Sequence, residues 1–136
     1  MRTARPRHEG QCVNFEMTEK SMSMKWKGVM PALTTAFKPD LSVDHVLVAE
    51  HARWLVENGD TGIVALGSLG ESATLRFDEK MAILETCVKT LGRQAPVVAG
   101  IASLSTAEAV ELARAAESVG CSGLMVLQPY EPKNSF

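Results

Sequence analysis

From Lys25 onward the apolar positions fall into two kinds of block that take turns along the chain. Four short apolar runs, at 29–33, 62–66, 96–99 and 122–127, lack the two-residue alternation of a half-exposed strand, which predicts strands buried on both faces. Three longer segments lie between them, with apolar residues three or four apart, the period of an amphipathic helix. The first helix is expected after the Lys38-Pro39-Asp40 turn, with Ser42 as N-cap and Asp44 in the first turn, running to about Glu57. Leu47, His51, Trp54 and Leu55 fall near one of its faces, and Asn58-Gly59 stops it.

The second helix starts near Asp78 and Glu79, whose charge complements the helix dipole, and carries the stripe Met81, Leu84, Val88, Leu91 before Gly92 ends it. Ser105-Thr106-Ala107-Glu108 reads as a capping box for the third, with Ala109, Leu112, Ala113 and Ala116 as its inner face and Gly120 as its stop. Gln128-Pro129 terminates the last run.

Strand–helix alternation of this kind predicts an α/β fold with a parallel sheet covered by helices. The turns after the strands, Thr34-Thr35, Gly67-Ser68, residues 100–103 and Pro129-Tyr130, are rich in hydroxyls and glycine. They would converge on one mouth, as the loops of a (β/α)8 barrel do, but four strands cannot close a barrel that typically takes about 250 residues. The fold expected is therefore the N-terminal half, about four βα units, of a (β/α)8 TIM barrel. An open doubly wound sheet whose 67–71 loop holds a nucleotide phosphate stays as an alternative, although no GxGxxG or GKS/T string is present.

Residues 1–23 break the pattern: they are polar, without apolar periodicity, and are expected to be a disordered extension outside a truncated domain at 24–136. They contain no apolar stretch suited to a signal peptide. The 46% apolar content of the full chain is enough for one core. A net charge of −2, with no Lys/Arg cluster interleaved with aromatics, argues against nucleic acid or an anionic membrane as partner. No apolar run approaches a membrane span. Cys12, Cys87 and Cys121 are far apart with no CxxC, which points to a reducing, cytoplasmic setting rather than disulfides or zinc. His8, His45 and His51 have no metal-ligand spacing, so no metal site is expected.

The chemistry concentrates in Gly67-Ser68-Leu69-Gly70-Glu71-Ser72, directly after the second apolar run. Glycine lets the backbone approach a ligand, and N–H groups beside a Ser hydroxyl suit a small carboxylate or phosphate. The same string also reads as a plain strand-to-helix turn. Glu71 reads as a structural residue whose carboxylate caps helix N–H groups, with a general base as the competing reading. Thr35 reads either as pocket floor or as packing.

Together with Ala73-Thr74-Leu75, Asp78-Glu79, the Pro-Val-Val-Ala-Gly strand at 96–100, Ser-Thr-Ala-Glu-Ala at 105–109 and Pro129-Tyr130, this loop resembles the dihydrodipicolinate synthase / N-acetylneuraminate lyase family. The resemblance covers about residues 27 to 130. It implies a barrel, usually in a homotetramer, that needs no added cofactor and binds a 2-oxo acid such as pyruvate as a Schiff base on a lysine. The protonated imine then serves as an electron sink for making or breaking the adjacent carbon–carbon bond.

By the family motif, Ser68 supplies the hydroxyl that binds the substrate carboxylate and joins a proton relay, and Gly67, Leu69, Gly70, Thr35 and Tyr130 line the substrate site. Leu69 stands where a Thr is frequent, Ala36 where the family commonly has Pro, and Glu131 where synthase members carry a relay Tyr. The family's lysine lies on the sixth strand, beyond Phe136, and Lys25, Lys27, Lys38, Lys80, Lys89 and Lys133 occupy no matching position. Residues 1–136 are therefore expected to be inactive alone, with lyase, synthase and dehydratase undivided. A non-catalytic half-barrel that self-associates through its strand edges is the competing reading.

Overall fold

The computed structural model describes residue 24 and residues 26–127, so the expectations for residues 1–23 and for Tyr130 and Glu131 lie outside the described residues. Three helices, α1 (His45–Glu57), α2 (Phe77–Leu91) and α3 (Thr106–Val119), alternate with three strands, β1 (Ile63–Ala65), β2 (Val97–Ile101) and β3 (Gly123–Val126). The strands are parallel and lie in sequence order, β1-β2-β3, with Ile63 opposite Val97, Ala65 opposite Ala99, and Ala99 opposite Leu124. A doubly wound sheet reverses its strand order at a switch point. The three described strands show no reversal, which matches the winding of a barrel.

The expected first strand is the main departure. Residues 29–33 do run beside β1: Thr61 N–H donates to Val29 O at 2.8 Å, Val64 N–H to Pro31 O at 2.9 Å and Leu33 N–H to Val64 O at 2.8 Å. Only the single bridge Ala32–Val64 forms, however. Pro31 has no N–H to give, so the next bond of a parallel ladder cannot be made and the segment falls short of a strand.

Helix ends follow the local chemistry, with two corrections. Asp44, not Ser42, is the N-cap of α1, its Oδ1 accepting from Val46 N–H and Leu47 N–H at 3.1 Å each. Ser42 is occupied elsewhere: its N–H and hydroxyl both donate to Asp40 Oδ1, at 3.0 and 2.7 Å, which lowers the Asp40 carboxyl below its ordinary range. At α2 the Glu79 carboxylate accepts from Arg76 N–H at 2.9 Å. At α3 Ser105 Oγ accepts from Glu108 N–H at 3.4 Å, but Glu108 does not reciprocate as a capping box would. Its carboxylate instead takes the Ser103 hydroxyl at 2.6 Å, and Ser103 Oγ takes the Ser105 N–H at 3.1 Å. Asn58, Gly92 and Gly120 end the three helices where the sequence places their stops.

The core lies between one face of the sheet and the helices. Ile63, Ala65, Val97, Ala99 and Ile101 meet Ile83, Leu84 and Cys87 of α2 and Leu112 and Ala116 of α3, all of them buried. The α3 face is the predicted one. The α1 face is so only in part: Leu55 packs against the core, but Val48 and Ala52 are the buried residues, whereas Leu47 and Trp54 are exposed. Residues 46–49 and 54–56 of α1 are apolar almost all round, so periodicity alone does not orient it. β2 is buried throughout, but β3 alternates, with Leu124 and Val126 exposed on the helix side. No helix among the described residues is long and apolar enough to cross a membrane.

Candidate functional site

The C-terminal end of β1 delivers the glycine-bracketed turn. Leu66 takes a left-handed conformation (φ +62°), and Ser68–Gly70 then form one turn of 3-10 helix behind an extended Gly67. Gly70 N–H donates to Gly67 O at 3.0 Å and Glu71 N–H to Ser68 O at 3.2 Å. These two N–H groups close the turn itself and are spent within it. Ser68 and Leu69 are exposed, while Gly67 and Gly70 are buried.

Glu71 differs from its expected capping role. It is left-handed (φ +53°) and exposed, and α2 begins only at Phe77, capped by Arg76 and Glu79. Its backbone carbonyl instead accepts from Thr74 N–H and Thr74 Oγ1, both at 2.9 Å. Thr35 reaches the turn from the first segment, its hydroxyl donating to Gly70 O at 2.7 Å. No Cβ fits easily at Gly70, where it would stand 3.1 Å from Leu33 O.

An open cleft of about 1120 Å³ separates this loop from the loop after β2. Of the residues singled out by sequence, Gly67, Ser68 and Glu71 line it; Thr35, Leu69 and Gly70 do not. Ser72, Lys80 and Ser103, to which the sequence assigned no site role, also line it. Ser72 is 3% exposed and its Oγ, buried, has no hydrogen-bond partner among the described residues. The serine was visible beside Glu71 in the motif, but its burial depends on packing that no spacing reveals. Glu108 and Glu111 make the far wall acidic, with Lys80 the cation on the near side. No group of three or more His, Cys, Asp or Glu able to hold a metal occurs among the described residues.

A one-way parallel sheet with its ligand-type loop at a strand C-terminus is the arrangement of part of a (β/α) barrel. Comparison with known proteins narrows this: residues 25–136 match the dihydrodipicolinate synthetase family, and the chain belongs to that family. It is 44% identical over 107 residues to the 4-hydroxy-tetrahydrodipicolinate synthase of Desulforamulus reducens, covering 79% of this chain and 36% of that one. To the enzyme of the same name from Agrobacterium fabrum it is 41% identical over 108 residues, covering 79% and 37%.

Among solved structures, dihydrodipicolinate synthase from Aquifex aeolicus superposes with a TM-score of 0.75 at 35% identity, over 81% of this chain and 37% of that one. YagE, an E. coli K12 prophage protein of the family solved in complex with pyruvate, gives 0.75 at 31% identity, over 81% and 37%. The chain thus spans little more than a third of the length of these relatives.

Proposed function

We propose that the 67–70 turn is the carboxylate-holding element of a class I, Schiff-base 2-oxo-acid lyase or aldolase, with pyruvate as the simplest substrate. The observation that carries this reading is the placement of Ser68. Its residue opens onto the cleft at the end of β1, on a turn whose later N–H groups are already bonded. A hydroxyl there donates to one carboxylate oxygen of the acid and leaves the ketone directed inward. The acidic wall of Glu108 and Glu111 repels an anion, so the Gly67–Ser68 end is the favourable one.

The lysine that condenses with the ketone, with loss of water, is on the sixth strand in the family and has no counterpart among residues 1–136. The chemistry therefore belongs to a complete barrel to which this segment contributes the acid-binding loop. In the family such barrels usually form homotetramers. Leu69 places an apolar side chain where a second hydroxyl is frequent, so the turn offers one side-chain donor where synthase members offer two.

A chimera tests this: the matched 107 residues of the Desulforamulus reducens enzyme are replaced by those of this chain. Pyruvate with borohydride should add one reduced pyruvate per subunit. A hydrogen bond to a charged group contributes about 1.5–3 kcal/mol, so Ser68→Ala in the chimera should raise the half-saturating pyruvate about 10- to 100-fold. A cooperatively folded chimera that takes up no adduct would refute the proposal.

A further inference from the structure

The end of β1 holds a backbone conformation that branched apolar residues avoid. Leu66 has φ +62°, yet it is 1% exposed and its side chain belongs to the core. Such a conformation persists only where the surroundings over-determine it. Here the Leu66 carbonyl crosses β2 at Gly100, where an added Cβ would lie 2.5 Å from Leu66 O and 2.9 Å from Gly67 N. Core packing on one side and a bare backbone on the other fix where the turn begins.

The other end is fixed from a distant part of the chain. Thr35 Oγ1 donates to Gly70 O at 2.7 Å, a partly buried bond across 35 residues of sequence. A threonine hydroxyl has one proton, and this bond uses it. Thr35 therefore has none to donate to a substrate carboxylate, and it acts through Gly70.

We propose that Thr35 is a positioning residue which, opposite the Leu66–Gly100 crossing, holds the 67–70 turn preformed. A turn already ordered loses no conformational freedom when a ligand arrives, so its Ser68 hydroxyl is presented in one geometry. That the ligand is a 2-oxo acid rests on the function proposed above; the preformed turn does not.

Amide hydrogen exchange and NMR on the 136-residue chain test this, with pyruvate as the probe. Without pyruvate, the Gly70 and Glu71 amides should be protected. Thr35→Val, which removes the donor and keeps the shape, should speed their exchange about fivefold to tenfold, as expected for one lost hydrogen bond. The β2 and α2 amides should stay unchanged. Thr35→Ser should restore both the protection and the pyruvate response of the Ser68 amide. Thr35→Ala replaces the valine variant if that one does not fold. Unprotected Gly70 and Glu71 amides in the parent chain, or unchanged exchange in the donor-less variant, overturns the proposal. A turn loosened by Thr35→Val upholds the role of Thr35 whatever the pyruvate response of this chain, and a complete-barrel chimera whose Ser68 amide ignores pyruvate overturns the ligand reading alone.

Discussion

His45 Nδ1 lies 2.9 Å from Thr86 Oγ1, and a third atom fixes the direction of that bond. The Thr86 hydroxyl gives its one proton to Ala82 O at 2.8 Å, so towards the imidazole it can only accept. His45 therefore carries a proton on Nδ1, and in its neutral form Nε2 is the bare nitrogen. The bond ties the first residue of α1 to the middle of α2. Thr86→Val should cost about 1 kcal/mol in denaturant unfolding, and Thr86→Ser much less. Nitrogen-15 spectra should show the Nδ1–H tautomer at neutral to alkaline pH; an Nε2–H tautomer would contradict this bond.

The cap of α1 separates two neighbouring residues by function. Asp44 satisfies two helix N–H groups, whereas the Ser42 N–H and hydroxyl both go to Asp40 and reach no helix N–H. Asp44→Ala should destabilise the chain by about 1 kcal/mol and Ser42→Ala by a few tenths. Thermal midpoints of the two variants check the order, which a Ser42 cap would reverse.

Two glycines at the same strand ends should respond in opposite ways. Gly67 is extended (φ −74°, ψ −174°), and an added Cβ would meet only Met125 Cε at 3.7 Å. Gly67→Ala should stay within about 0.5 kcal/mol of the parent. At Gly100 the added atom would meet the Leu66 carbonyl, which is backbone and cannot swing aside. Gly100→Ala should cost about 2–3 kcal/mol or more. Equal unfolding midpoints for the two variants would show that β2 does not pass this close to Leu66.

Burial pushes the Cys87 thiol up to about 12, with the nearby charge of Cys121 adding to it, and burial pushes Cys121 up to about 11. At pH 9 a thiol with its ordinary value of 9.0 is half ionised, but Cys121 only about one per cent. Alkylation of Cys121 in the folded chain should therefore run about 50-fold slower than in urea, and that of Cys87 slower still. The unfolded chain releases these protons first as pH rises. The stabilising contribution is thus whole below about pH 9 and is lost on rising towards 12, by at most about 1.4 kcal/mol per pH unit per thiol. Stability that is flat from pH 9 to 11 in a chain with both thiols intact would contradict this.

Much of this architecture was legible in the sequence because glycines and apolar runs report local events. Gly92 and Gly120 stop their helices wherever the rest of the chain lies, and the small inner face of α3 matches what packs on the sheet. The orientation of α1 was not legible, since Leu47 and Val48 are adjacent, both apolar, and only the tertiary fold chooses between them. The 29–33 segment was over-read because its apolar content spoke louder than the missing N–H of Pro31.

At the candidate site the sequence pointed to the loop that borders the cleft and to Thr35, read as pocket floor or packing, whose hydroxyl bonds to Gly70 O. It could not show that Glu71 turns left-handed away from α2, or that Ser72 is buried without a partner. Those depend on where neighbouring strands lie.

The strand order has a consequence for how such a chain is made. The 29–33 segment lies beside β1, β1 beside β2 and β2 beside β3, so each new strand adds to one already synthesised. Nothing in this layer waits for a distant partner, and an emerging polypeptide can build it by accretion on the ribosome, one βα unit at a time. A nascent chain stalled with β2 outside the exit tunnel should already resist protease between β1 and β2. Full sensitivity there would mean that the layer forms only as a whole.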